Sequence, residues 1–220
     1  MAYDIEITGN PGTDAPDQPA LDDYSDMPGA KDAVCNWYGD DAAKSGTDGT
    51  DGATGYPGIK GGDAPFCGDI VFEVGEIIGD IEVTCAGGKG GKGGKGGNGQ
   101  NGQNGQNGGN GKGCEGDKSG GKGGDGGKGG NGGDGGGGAD APDLTVKYYS
   151  VTYPSLTGHC NAGAGGEGGA PGQGGNPGLG GKKGGTGTRA ASGHSGQPGS
   201  AGQTGAAGTD AGDVIFIRIT

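Results

Sequence analysis

The sequence contains too few apolar residues to build an ordinary hydrophobic core along its whole length. Of its 220 residues, 27% are hydrophobic and 5% are aromatic, whereas globular domains are about 45–50% apolar. No stretch approaches the roughly 20 apolar residues of a membrane-spanning helix, so we expect no membrane span. The first residues also lack the basic and apolar regions of a signal peptide, which leaves the export route open.

Proline and basic residues are scarce too, and each shortage excludes a class of protein. There are 11 prolines, whereas a collagen triple helix needs about 15–20% proline or hydroxyproline. The formal net charge is −12, and residues 1–83 carry 18 acidic residues against three lysines. Nucleic-acid-binding proteins usually present a basic face with interspersed aromatic residues, so no nucleic-acid partner is expected.

Glycine is the abundant residue, and it recurs at every third position. Between Gly87 and Gly138, 16 of the 18 positions spaced by three are glycine, and between Gly163 and Gly208 only Ala190 departs from the pattern. A shorter run spans Gly46 to Gly61. A period of three fits neither the α-helix nor the β-strand but matches the three-residue turn of a polyproline-II-type helix. Close packing of such helices requires a residue without a Cβ atom, so the period indicates order rather than disorder.

Short segments with strand character separate the glycine runs, as they alternate in polarity or are rich in β-branched residues. We predict strands at Tyr3–Thr8, Asp69–Val74, Asp80–Thr84, Asp143–Tyr153 and Asp213–Thr220. The predicted fold class is a polyglycine type II helix bundle of antiparallel runs combined with a small antiparallel β-sheet or sandwich, with little or no α-helix. The predicted segments are an acidic irregular cap with an N-terminal strand (1–45), a short glycine run (46–61), strands (66–84), a glycine bundle (87–138), a strand (143–153), a second bundle (163–208) and a terminal strand (213–220).

Five cysteines in a chain with so little core suggest disulfides and an oxidising exterior. Their connectivity stays open. The pairs we favour are Cys35 with Cys67 and Cys85 with Cys160, which leaves Cys114, at a predicted far turn, as the odd cysteine. The expected location is extracellular, on a cell surface or in a virion.

No residue set in the sequence predicts catalysis, and we expect no enzyme, cofactor or metal site. His159 beside Cys160 could suggest a nucleophilic pair, but a loop histidine next to a disulfide cysteine explains it better. The aspartates of the glycine runs could suggest calcium, yet calcium-binding β-helix repeats need a large apolar residue in each turn. Trp37 and Tyr38 could form a ligand platform, although packing inside a small cap is the simpler interpretation.

Glycine-triplet runs closed by turns, with scattered cysteines and few prolines, resemble the polyglycine-II bundle proteins. Members of this group include receptor-binding adhesins at the tips of phage long tail fibres and the snow flea antifreeze protein. The resemblance covers residues 46–61, 87–138 and 163–208, and it is one of architecture, without a diagnostic motif.

The function expected from these features is structural. A rigid glycine scaffold would assemble with copies of itself into an extracellular filament or surface appendage through its edge and terminal strands. The residues expected to mediate assembly are Ile5, Ile7, Val214, Phe216, Ile217 and Ile219. The alternatives are a phage-type adhesin, which would bind a host-surface ligand, and an ice-binding protein.

Overall fold

The structure is a computed structural model, and it describes residues 5–152, 155–185 and 187–220. Parts of two predicted strands, at 3–4 and 153, lie outside these residues. Eight strands are present: β1 (Ile5–Thr8), β2 (Val34–Asn36), β3 (Gly39–Asp41), β4 (Ile70–Ile78), β5 (Ile81–Ala86), β6 (Leu144–Thr152), β7 (Leu156–Asn161) and β8 (Val214–Arg218).

The predicted fold class is wrong. The described residues contain no helix, and hence none that could cross a membrane, and the larger sheets are parallel rather than antiparallel. Strands β1, β5 and β7 form one three-stranded parallel sheet, here called the first sheet, and β4, β6 and β8 form the second sheet. Only the small β2–β3 hairpin is antiparallel.

Six extended segments connect the strands, and we number them as runs 1 to 6 in chain order. They span residues 9–33, 44–64, 87–110, 118–141, 162–184 and 190–212. Their backbone hydrogen bonds lead to other runs at every third residue, as from Gly12 to Lys89 and from Ala15 to Lys92. The three-residue period of the sequence is therefore the period of inter-run hydrogen bonding.

The runs form two layers of opposite direction. Runs 1, 3 and 5 leave the sheets and are parallel to one another, while runs 2, 4 and 6 return and are likewise parallel. Hydrogen bonds between the layers join antiparallel neighbours, such as Gly130 of run 4 to Gly97 of run 3. Each sheet continues one layer, because the strands before outgoing runs share one direction and the strands after returning runs share the other. This sorting is why the sheets are parallel.

The chain is a threefold repeat of one unit: strand, outgoing run, turn, returning run, strand. The units span 5–78, 81–152 and 156–218. The sequence also carries a signal of this repeat, since Asp4-Ile5-Glu6-Ile7-Thr8 resembles Asp80-Ile81-Glu82-Val83-Thr84. A fixed internal period is the mark of repeat architectures.

The hydrophobic core lies between the two sheets. Its buried residues are Val83, Cys85, Ala141, Leu144, Val146 and Cys160. Eight apolar side chains of the flanking strand positions pack against these residues, namely Ile5, Ile7, Ile70, Phe72, Val74, Ile81, Val214 and Phe216. The apolar residues are thus concentrated at one end of the molecule, where strands replace runs.

The irregular cap predicted for the first 45 residues is instead mostly run 1. Near both of its ends, run 1 donates backbone hydrogen bonds to run 3. Glycine is sparse there because an outermost run needs close approach only on one side. The loop predicted around His159 is also different, since it forms strand β7.

Two disulfides are present, and one differs from the predicted pairing. Cys85 is joined to Cys160, the pair that the sequence favoured, and Cys35 is joined to Cys114 rather than to Cys67. The reason is topological: Cys35 and Cys114 lie in the first two turns, at the far end of adjacent units, whereas Cys67 lies near the sheets. Cys67 is a free, exposed thiol. Such disulfides are typical of an oxidising environment.

Candidate interaction surfaces

Glycine is required inside the layers because neighbouring backbones lie where a side chain would start. A Cβ atom added to Gly130, in the central run 4, would overlap the carbonyl oxygen of Tyr56. The same overlap with backbone occurs along runs 3 and 4, for example at Gly93 and Gly127. By contrast, Gly113 and Gly116, in the second turn, have no atom within 4 Å of such a Cβ position.

Aspartate and asparagine side chains on the outer faces bind the backbone of the next run. Asp14 accepts a hydrogen bond from the N–H of Lys92 at 2.7 Å, and Asn101 accepts one from the N–H of Asn176 at 2.7 Å. In the returning layer, Asp125 accepts one from the N–H of His194 at 2.7 Å. These residues satisfy the backbone amides that point outward. The aspartates and asparagines between the glycines therefore hold neighbouring runs together.

In Asp32, Asp125 and Asp140, bonds of this kind lower the pKa of the carboxyl group, because the hydrogen bonds favour the ionised form. The N–H groups of Asp210 and Thr209 hold the pKa of Asp140 below its usual value. The N–H of His194 does the same to the pKa of Asp125, and the N–H of Asn110 to that of Asp32.

Three glutamines of run 3 bridge the first two runs where their backbones do not pair directly. The amide nitrogen of Gln106 donates to the carbonyl of Pro28 at 2.8 Å, and its side-chain oxygen accepts from the N–H of Thr47 at 3.0 Å. Gln103 and Gln100 repeat this pattern one and two turns earlier, respectively. These three glutamines therefore form a structural bridge.

The last two runs end the bundle. Run 5 carries Pro171 and Pro177 at positions whose equivalents in run 3, Gly96 and Gly102, donate hydrogen bonds to the next run. Proline has no N–H to donate. In run 6 the residues equivalent to the donor glycines of run 4 all carry side chains; they are Ser192, Ser195, Pro198, Ala201, Thr204 and Ala207. Further runs cannot be added at this edge with the same close spacing.

The groups considered for catalysis or metal binding are not arranged for either. Cys160 is in a disulfide, and the exposed His159 has its Nδ1 atom 3.9 Å from a carboxylate oxygen of Glu82. His194 is exposed and binds Asp125. Among the described residues one cluster has metal-ligand types, Cys35, Asp40 and Cys114, but its two sulfur atoms are bonded to each other.

The outer faces of the two sheets differ in polarity. The outer face of the first sheet carries polar residues such as Thr8, Thr157 and His159. The outer face of the second sheet exposes apolar side chains, with Ile215 at 47% and Ile217 at 41% exposure. Val71 and Tyr149 on the neighbouring strands extend this surface, in which Thr145 lies between Val71 and Ile215 and Lys147 lies beside Ile217. We call it the apolar sheet face.

The predicted assembly residues divide between the core and this surface. Ile5, Ile7, Val214 and Phe216 pack against the core between the sheets, because alternate strand residues point to opposite faces. Ile217 lies on the apolar sheet face, and Ile219, half-buried, follows β8 with its N–H bonded to Tyr148. The prediction missed Ile215, which the alternation of Val214–Arg218 would have placed beside Ile217.

The opposite end of the molecule carries an aromatic hairpin. Strands β2 and β3 are joined by Trp37 and Tyr38, which are 95% and 98% exposed. The cap-packing interpretation of these residues is therefore wrong. The disulfide from Cys35 to Cys114 fixes this hairpin to the second turn.

Comparison with known proteins gives one weak neighbour. No protein-family model matches the chain, and no curated protein matches it. A solved structure, described as a "nine polyproline type II helical bundle springtail antifreeze protein from Granisotoma rainieri", is 30% identical over 73% of this chain and 93% of its own, with a TM-score of 0.12. The similarity is a loose one of architecture.

Proposed function

We propose that the protein is a non-enzymatic structural protein, a rigid scaffold that associates with copies of itself at its strand end in an extracellular filament or surface appendage. The observation that carries this proposal is the apolar sheet face. Several exposed apolar side chains gathered on one sheet face indicate an interaction site. Its location on one sheet only, opposite a polar outer face, favours an interface over general surface variation.

The outer edge of the bundle is closed, whereas the edges of the two sheets are unpaired in the described part of the chain, and this difference supports association at the strand end. Side chains and prolines close the outer edge of runs 5 and 6. Strands β1, β7, β4 and β8 are each at a sheet edge and pair on one side only within the described residues. Unpaired edges can recruit strands of another copy, and head-to-tail contacts at these edges, added to pairing through the apolar sheet face, would extend the assembly into an open filament.

Substitution of the apolar sheet face tests this proposal. The double variant Ile215→Lys/Ile217→Lys places charges on exposed positions, so the fold should be retained while association is lost. Light scattering after size-exclusion chromatography should give a mass well above 20.8 kDa for the unmodified protein and a monomer for the variant. The matched control is Thr8→Lys/Thr157→Lys, on the outer face of the first sheet, which should associate normally. A monomeric unmodified protein at every concentration would refute the proposal.

Adhesion is a second candidate function, and the exposed aromatic hairpin favours it. Rigid aromatic side chains commonly provide the central contacts of protein surfaces that bind ligands. A third candidate, ice binding, depends on the short uncharged residues of run 6. The outward-facing positions of runs 3 and 4, by contrast, include lysines and aspartates. Thermal hysteresis of the purified protein would detect ice binding.

A further inference from the structure

The far end of the molecule differs in charge and surface chemistry from the rest, and we propose that it docks on an anionic lipid surface through Trp37 and Tyr38. This far tip comprises the described residues of the three turns and their flanks, 31–44, 111–118, 182–185 and 187–190. The inference goes beyond self-association and specifies a partner for the adhesion candidate.

The two aromatic residues occupy an unusual position. Two-residue hairpin loops normally carry asparagine and glycine, whose backbones tolerate the required turn. Here both loop positions are large aromatic residues, one of them the single tryptophan of the chain. A sequence that departs from the local rule without a packing gain indicates a functional position.

The hairpin is held rigidly, so its exposure is not a consequence of a loose loop. Asp41 forms a 2.8 Å ion pair with Lys31, and the N–H of Ala43 donates to Glu115 at 2.8 Å. Within the loop, the N–H of Tyr38 donates to the side-chain oxygen of Asn36 at 3.0 Å. A preorganised surface loses less conformational entropy on binding.

The charge of the far tip complements an anionic surface, although the whole chain has a formal net charge of −12. The far tip has seven basic and five acidic residues, a net charge of +2. The first turn carries three acidic and two basic residues, and the second carries two of each, with Asp41 paired to Lys31 and Glu115 to Lys118. The positive charge of the far tip therefore comes from the third turn. The third turn and its flanks carry Lys182, Lys183 and Arg189, all exposed, and no acidic residue.

Tryptophan and tyrosine favour the membrane–water interface because each combines an apolar ring with a polar group. Basic residues near an anionic leaflet add electrostatic attraction. An uncovered aromatic pair at the same end of the molecule as a basic turn satisfies both requirements and needs no pocket on the partner. These features favour a lipid surface over a protein receptor.

Fluorescence of the single tryptophan tests the proposal directly. Vesicles of phosphatidylcholine containing phosphatidylserine should shift Trp37 emission to shorter wavelength, and brominated lipids should quench it. Tyr38→Ser should weaken binding about tenfold, and Lys182→Gln/Lys183→Gln about fivefold for each charge removed. Lys89→Gln/Lys92→Gln, an equal charge change near the sheets, should have no effect.

Three results would overturn the proposal: no emission shift with anionic vesicles, an equal shift with pure phosphatidylcholine, or an equal loss in the Lys89/Lys92 control. Binding to cells that disappears after protease treatment of those cells, without any vesicle effect, would instead identify a protein partner. The Lys182/Lys183 variant should keep the self-association of the unmodified protein, so failure of this inference is distinguishable from failure of the assembly proposal.

Discussion

At the scale of single residues, the interior glycines have a measurable role because backbone atoms surround them. Gly130→Ala should destabilise the protein by about 2–3 kcal/mol, since the new methyl group overlaps a carbonyl that cannot move without displacing run 2. Gly116→Ala is the matched control, as its Cβ position is open. Thermal unfolding measures both; similar midpoints for the two variants would show that the layers pack more loosely than described.

The aspartates whose pKa is lowered by backbone hydrogen bonds, Asp32, Asp125 and Asp140, predict a dependence of stability on pH. Their folded-state pKa is lowered, so their contribution is complete above the unfolded-state pKa of about 3.9 and is lost as the pH falls through the folded-state value. Thermal midpoints should therefore drop in strongly acidic solution. Replacing Asp32, Asp125 and Asp140 by asparagine should reduce this drop, because asparagine accepts the same bond at Asn101 and Asn131. An unchanged acid profile would contradict the capping role.

At the scale of elements, the disulfide between the first two turns should stabilise the far end of the first two units, which the hydrophobic core joins only at the strand end. Cys35→Ser/Cys114→Ser should lower the free energy of unfolding by about 3 kcal/mol, since this disulfide closes a loop of 79 residues. Cys67→Ser is the control and should be neutral, because Cys67 is exposed and unbonded. Denaturant unfolding under non-reducing conditions compares them; equal stability of all three proteins would argue against the Cys35–Cys114 link.

Some elements follow from the sequence and others do not. The three-residue period locates the interior runs because glycine there is a steric requirement. Run 1 escapes prediction because an outer run tolerates side chains at most positions, and its Asp14 and Ala15 look like loop residues. The parallel pairing of the strands is not predictable from the sequence either, since the alternation within Val214–Arg218 identifies a strand but not its partner. Gln100, Gln103 and Gln106 interrupt the glycines of run 3 in the sequence. That they bridge two runs depends on distances that the sequence does not contain.

At the scale of the whole molecule, stability and interaction occupy different regions. The two layers of runs provide rigidity through backbone hydrogen bonds and closed edges. The strand end provides the core and the apolar sheet face, and the far tip presents Trp37 and Tyr38. The candidate surfaces were only partly accessible to prediction: Ile217 was identified from the apolar terminal strand, whereas exposure of the hairpin depended on how its turn projects from the bundle.

Disulfide trapping tests association through the apolar sheet face most directly. In a Cys67→Ser background, Ile217→Cys places a thiol on that face, and Thr157→Cys places one on the opposite, polar face. Under mild oxidation, the Ile217→Cys protein should form covalent dimers on non-reducing gels, while the Thr157→Cys protein should stay monomeric. Monomers in both proteins, or equal cross-linking of both, would contradict association through the apolar sheet face.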